Sequence, residues 1–123
     1  MFTGIDHIDL IVEDPDKMAK FLMTLGFKEI RHTVEARGSI ELRFPGGDDQ
    51  PFVELRASRK PDGTTRPLGL NHIALRCDNL DETFKTLSEK GMKFSSAPRV
   101  VETSGRRLAN IIDPEGNSLQ IVG

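Results

Sequence analysis

Neither tryptophan nor tyrosine occurs in the 123 residues, and there is a single cysteine, Cys77. Proteins that hold single-stranded nucleic acid stack bases on aromatic faces, a task left here to phenylalanine alone. Basic residues are not in excess either: Lys and Arg number 17 against 19 Asp and Glu, for a net charge of −2 and a pI near 5.9. Nucleic-acid binding usually demands a basic face, so that class is set aside. One cysteine allows no internal disulfide and no thiolate metal cluster. Cys77 falls in a strand-like stretch, where a buried, unreactive thiol is expected. No apolar run approaches the roughly 20 residues of a membrane span. No charged-then-apolar leader opens the chain, so a cytoplasmic location is expected. What remains, 37% hydrophobic and 29% charged, is the composition of a soluble globular protein of one ordinary domain.

What is present is a repeat. Sliding the chain by 65 residues places "DHIDLIVED" on "NHIALRCDN" and aligns His7 with His72, Ile8 with Ile73, Leu10 with Leu75, Asp16 with Asp81, Leu22 with Leu87 and Gly26 with Gly91. Matches that dense, in register with the local structural signals, indicate internal duplication. Each copy reads as a strand (about 5–12 and 70–77) followed by an acidic or amide turn and a helix. Asp14-Pro15 supplies an N-cap and a first-turn proline, and the second helix begins near Asn79 or Leu80. Gly26 and Gly91 are expected to end the helices in left-handed conformation. Met18, Phe21, Leu22 and Leu25 share helical spacing. Three strand-like stretches follow in each copy, about 27–35, 38–44 and 51–57, then 92–101, 106–112 and 117–122. The expected fold is α+β: one domain of two βαβββ modules, about 1–58 and 69–123, joined by a polar linker at 59–68. They form a curved mixed sheet that lines a cavity, with the helices on the outer face.

Strand alternation then sorts the side chains. Ile8, Leu10, Val12, Val53 and Leu55 fall on the helix side of the first module, and Ile73, Leu75, Cys77, Leu119 and Ile121 on that of the second. The opposite face carries His7, Asp9, Glu54 and Arg56, then His72, Arg76 and Gln120. Ile40, Leu42 and Phe44 likewise leave Glu41 and Arg43 on the helix-free side. A lone strand histidine is usually structural. Two at equivalent positions, each with Glu or Gln on the closing strand of its module, suggest that His7, Glu54, His72 and Gln120 converge on one divalent ion. Their nitrogen and oxygen donors suit Zn, Ni, Co, Mn or Fe(II).

The repeat, "FVEL" and the segments "HIALRCDN" and "DPEGNSLQIV" resemble the glyoxalase/bleomycin resistance/dioxygenase family, the vicinal oxygen chelate superfamily, over essentially the whole chain. The resemblance implies a divalent metal held at the four strand positions now occupied by His7, Glu54, His72 and Gln120. Glu is the commoner residue where Gln120 stands. Enzymes of the lactoylglutathione lyase type carry Arg and Asn for glutathione where this chain has Ile11 and Ser58, which argues against that substrate. The family implies bidentate chelation of neighbouring substrate oxygens by the metal, which stabilises an enolate or alkoxide. Glu54 is then the expected base. Glu41 is a candidate second proton carrier, although a solvated strand residue is its plainer reading. Arg76, with Arg43 or Arg56, is expected to hold a small oxygen-rich anion, and Asp9 either contacts substrate or positions a neighbour. His32 lacks a repeat partner and is read as a surface residue. The leading expectation is a metal-dependent lyase or isomerase acting alpha to a carbonyl, as a homodimer. The alternatives are a non-enzymatic drug-sequestering binder, an extradiol-type dioxygenase and a metal-dependent transferase opening an epoxide antibiotic.

Overall fold

The computed structural model describes residues 1–33, 38–102 and 104–123. The chain divides into two compact units, His7–Asn71 and, together, Met1–Asp6 with His72–Gly123. Both are built as β-α-β-β-β, the α+β architecture expected from the repeat.

In the first unit β1 (Phe2–Val12, from His7 onward) leads to α1 (Pro15–Thr24), β2 (Lys28–Thr33), β3 (Ser39–Arg43) and β4 (Phe52–Ala57). The strand order is β2-β3-β4-β1, with β1 parallel to β4 and the other pairs antiparallel. The Asp14 side chain accepts a hydrogen bond from the Lys17 backbone N–H at 3.1 Å, and Pro15 opens the helix where an N–H would have no partner. Gly26, at φ 104°, turns the chain out of α1. Ala19, Leu22, Ile40, Leu42 and Leu55 form the core, with Leu10, Val12, Met18, Phe27 and Val53 packed around it. Phe21 and Leu25 do not join it. They are 55% and 56% exposed, because the covering face of this ten-residue helix is narrow and is already filled by Met18, Ala19 and Leu22. The expected continuation of β2 through residues 34 and 35 lies outside the described residues.

The second unit holds β5 (Gly69–Cys77, from His72), α2 (Leu80–Glu89), β6 (Phe94–Val100), β7 (Arg107–Ile112) and β8 (Ser118–Val122), ordered β5-β8-β7-β6. The parallel pair is again first strand with last, β5 with β8. Asn79 caps α2 through the Glu82 N–H at 3.0 Å, and Gly91, at φ 85°, follows its end. Cys77, Leu80, Ala109, Ile111 and Ile121 make the core. Cys77 is buried and unpaired as a disulfide, and burial pushes its thiol pKa up, away from the reactive thiolate. Met1 and the first part of β1, up to Asp6, belong to this unit. The Met1 amine meets the Asp78 carboxylate, the Asp78 N–H donates to the Met1 carbonyl at 3.1 Å, and the Thr3 hydroxyl donates to the Arg76 carbonyl at 3.4 Å.

The ladders fix which residues are equivalent. Ile8 faces Val53 as Ile73 faces Leu119, and Leu42 faces Val53 as Ile111 faces Leu119. Counting along the strands, Asp9, Glu41, Glu54 and Arg56 correspond to Ala74, Asn110, Gln120 and Val122.

Candidate functional site

In the first unit, the face of β1 away from α1 is closed. His7, Asp9 and Ile11 are 3%, 0% and 1% exposed. The His7 imidazole stacks on the Phe52 ring, with centroids 4.9 Å apart and planes 18° from parallel. Its Nε2 stands 3.6 Å from Glu54 Oε2. This pair is the part of the expected metal set that the unit brings together, because His7 is paired in register with Phe52 and Glu54 lies two residues further along β4.

Asp9 faces Glu54 across the parallel ladder and Glu41 faces Glu54 across the antiparallel one, so three carboxylates lie in a row over three adjacent strands. Arg56 answers part of that charge. Its Nε donates to Asp9 Oδ1 at 2.9 Å and Nη2 donates to Asp9 Oδ2, a two-pronged contact, and Nη2 also reaches Asn71 Oδ1 at 3.3 Å. Burial first, and the neighbouring Asp9 charge second, raise the pKa of Glu54, while His7 and Arg56 pull it back down. Arg43 donates to the Asp48 carboxylate at 3.1 Å and to the Asp48 carbonyl at 3.4 Å.

In the second unit His72 and Gln120 are half-buried on β5 and β8, and Gln120 is paired in register with Ala74. Arg76 Nε lies 3.7 Å from the Asp6 carboxylate, and its Nη2 donates to the Ile5 carbonyl at 3.4 Å. Arg106 meets the same carboxylate at 2.7 Å. Around Asn110, Ser96 and Arg99 lie within 3.1 Å of its side-chain oxygen, and its amide donates to the Ser118 hydroxyl at 3.4 Å. Among the described residues no group of three or more His, Cys, Asp or Glu side chains is gathered to hold a metal.

Sequence reasoning did not foresee Asp6 as the acceptor for two arginines, nor Phe52 as the platform under His7. The Phe52 contact could have been found: in a parallel pair, the residue two before Glu54 on the same face is the natural neighbour of His7. Asp6 was visible only as the acid preceding His7, and nothing local marks its distant partners. His32 is 40% exposed and pairs with Glu29 within its own strand, as a surface residue.

The model of the Glyoxalase/Bleomycin resistance protein/Dioxygenase superfamily matches residues 4–121. The chain belongs to this superfamily. Among solved structures, methylmalonyl-CoA epimerase from Mycobacterium tuberculosis is 22% identical, with 98% of this chain and 87% of that one covered at a TM-score of 0.79. A Streptomyces coelicolor methylmalonyl-CoA epimerase variant, in complex with 2-nitronate-propionyl-CoA, is also 22% identical, covering 99% and 94% at 0.79. A hypothetical protein from Bacillus halodurans C-125 is 18% identical, covering 96% and 91% at 0.77. These likenesses establish the superfamily's fold. No curated protein matches the sequence. Among the described residues no helix is long and apolar enough to cross a membrane.

The donors are of the right kind for the superfamily's divalent ion. Bonds of about 2.0–2.2 Å place two ligands of one ion about 3–3.5 Å apart. The 3.6 Å between His7 Nε2 and Glu54 Oε2 is close to that spacing.

Proposed function

We propose that the chain is a divalent-metal-dependent isomerase or lyase acting on the carbon alpha to a carbonyl in a small, oxygen-rich anion. The observation that carries this reading is the pair of buried His7 and half-buried Glu54, with His72 and Gln120 at the equivalent strand positions of the other unit. His7 and Glu54 supply one pair of donors, and His72 and Gln120 the other. The metal, when bound, polarises adjacent substrate oxygens. Glu54 carries the proton. Epimerisation needs a second proton carrier, and Gln120 has no titratable proton, so Glu41 beside Glu54 fills that role.

All three candidate anion-binding arginines face carboxylates: Arg43 faces Asp48, Arg56 faces Asp9 and Arg76 faces Asp6. The Asp48 side chain is fully exposed, and such pairs contribute little. Arg43 is therefore the guanidinium most easily transferred to a substrate anion. Asp9 and Arg56 hold each other and position the Glu54 strand, and Arg76 is a second contact once Arg106 has taken Asp6. The protein works as a homodimer, for which exposed Phe21 on α1 and Leu25 at its C-cap, one turn apart, offer an apolar face.

Metal analysis of protein purified without a His tag tests this reading, with His7→Ala and His72→Ala alongside. Both variants should lose the ion, and full occupancy in both would overturn the assignment. Solvent deuterium should then enter the alpha position of a 2-oxo acid or an acyl-thioester acid, the latter being the substrate class in the epimerases' names. Gln120 also favours a second reading, a ligand-sequestering binder. Thermal stabilisation by neutral hydrophobic drugs alone, indifferent to added metal, would decide for it.

A further inference from the structure

The second unit contains an open pocket of about 760 Å³ on its helix side, the face opposite His72, Arg76 and Gln120. Ordinary small-molecule pockets measure roughly 300–1,000 Å³. Its floor is Leu75, Leu87, Ile111 and Leu119, and Phe2 and Met92 stand at its walls. Lys90 and Lys93 line it as well. Among the described residues neither lysine has a salt-bridge partner. Asp113, the acid on the pocket, is tied into its own turn: it accepts from the Glu115 and Asn117 backbone N–H groups at 2.9 and 2.7 Å and from the Asn117 amide at 2.9 Å.

Duplication explains why the space is there. In the first unit the corresponding place is filled by two aromatic rings, Phe27 and Phe44, packed with centroids 4.1 Å apart. Phe27 follows Gly26 as Met92 follows Gly91, and strand register carries Phe44 onto Asp113. A methyl group built on Gly26 would meet the Phe44 ring at 3.5 Å, whereas one built on Gly91 meets nothing within 4 Å. The second unit has replaced two rings by a thioether and a carboxylate turned back into a loop. Apolar floor is left uncovered, with two cations beside it.

We propose that this pocket binds a medium-chain carboxylate, with its hydrocarbon chain on the leucine and isoleucine floor and its head group held by Lys90 and Lys93. The apolar lining supplies affinity for the chain, and the two lysines select an anionic head over a neutral one. The site lies on the helix side of its sheet and needs no metal.

The test uses the intact protein with decanoate below its micellar concentration and decanol below its solubility limit, followed by methyl NMR and calorimetry. Decanoate should bind saturably and shift the Met92, Leu119 and Ile111 methyl signals. Decanol should bind at least about tenfold more weakly, because its contacts with both lysines lose their charge assistance. Lys90→Gln with Lys93→Gln should bring the acid down to the level of the alcohol, while Lys28→Gln in the first unit leaves binding unchanged. Met92→Phe, which restores the first unit's ring, should remove most of the affinity. Absence of saturable decanoate binding overturns the proposal. So does equal binding of acid and alcohol to the native protein, a comparison that needs no variant to fold. Undiminished binding in a folded Met92→Phe protein also overturns it.

Discussion

The two modules keep the same helix-side core and carry opposite chemistry on the other face. Leu55 and Ile121 occupy equivalent, fully buried positions, and Val53 and Leu119, equivalent to each other, pack partly buried beside them. Yet where the first module has Asp9, Glu41, Glu54 and Arg56, the second has Ala74, Asn110, Gln120 and Val122. Three carboxylates and a guanidinium have neutral counterparts throughout. Duplication first produces two equal copies, so the contrast shows which face is free to diverge. The helix side is constrained by close packing, where a change of one methylene is felt. The far side also holds buried apolar residues, Ile11 and Phe52 in the first unit and Ala74, Leu108 and Val122 in the second, but its polar groups pair with one another and can change together.

The largest expected effect tests that joint change. Asp9→Ala strands the half-buried Arg56 guanidinium and should destabilise the protein by about 3–5 kcal/mol in urea unfolding. Adding Arg56→Val, which completes the second module's pattern, should recover most of the loss. If the double variant is no better than the single one, the pair is not an exchangeable unit. Next comes the shared core. Leu55→Ala and Ile121→Ala should each cost about 2–5 kcal/mol, as cavities in equivalent places. A difference between them as large as the effects themselves would show that the cores have diverged after all. Asp14→Ala and Asn79→Ala remove equivalent caps and should each cost about 1 kcal/mol, read from the thermal midpoint.

The smallest effect is confined to one module and depends on pH. Hydrogen bonds from Asn117, side chain first and then backbone, hold the Asp113 carboxyl below its ordinary pKa. A depressed carboxyl stabilises the fold at pH values above its unfolded pKa of about 3.9 and loses that contribution as pH falls through the folded one. Asp113→Ala should therefore lower the midpoint at pH 7 and make progressively less difference in acid. A deficit that persists unchanged at pH 2 would assign the effect to backbone geometry instead. The first module offers no counterpart, because Phe44 stands at that place.

The elements themselves were legible, since period-two apolar runs, Asp14-Pro15, Asn79 and the two helix-ending glycines are local signals. The same alternation placed His7 and Glu54 on one face, and strand register then put them 3.6 Å apart. The pairing of Asp9 with Arg56 depends on which strands are neighbours and on which charges meet across them, and sequence alternation leaves both open. The exposure of Phe21 and Leu25 is not legible, because helical spacing identifies an apolar stripe but not how much of its width the sheet covers. The pocket beside Met92 was hidden for a related reason: it is the absence of a ring, and only superposing one module on the other shows where that ring would have been.

The division of β1 has a consequence for synthesis. Residues 7–71 have all their strand partners as soon as Asn71 has been made, whereas Met1–Asp6 belong with residues 72–123. Translation proceeds at about 5–20 residues per second and domains tend to fold in the order they emerge. Residues 1–6 are thus made before residues 7–71 but placed after them, waiting for Arg76, Asp78 and Arg106 to leave the ribosome. During that interval Phe2 and Ile5 hang from an already folded neighbour as a short, unpaired apolar strand, the kind of edge on which nascent chains mispair.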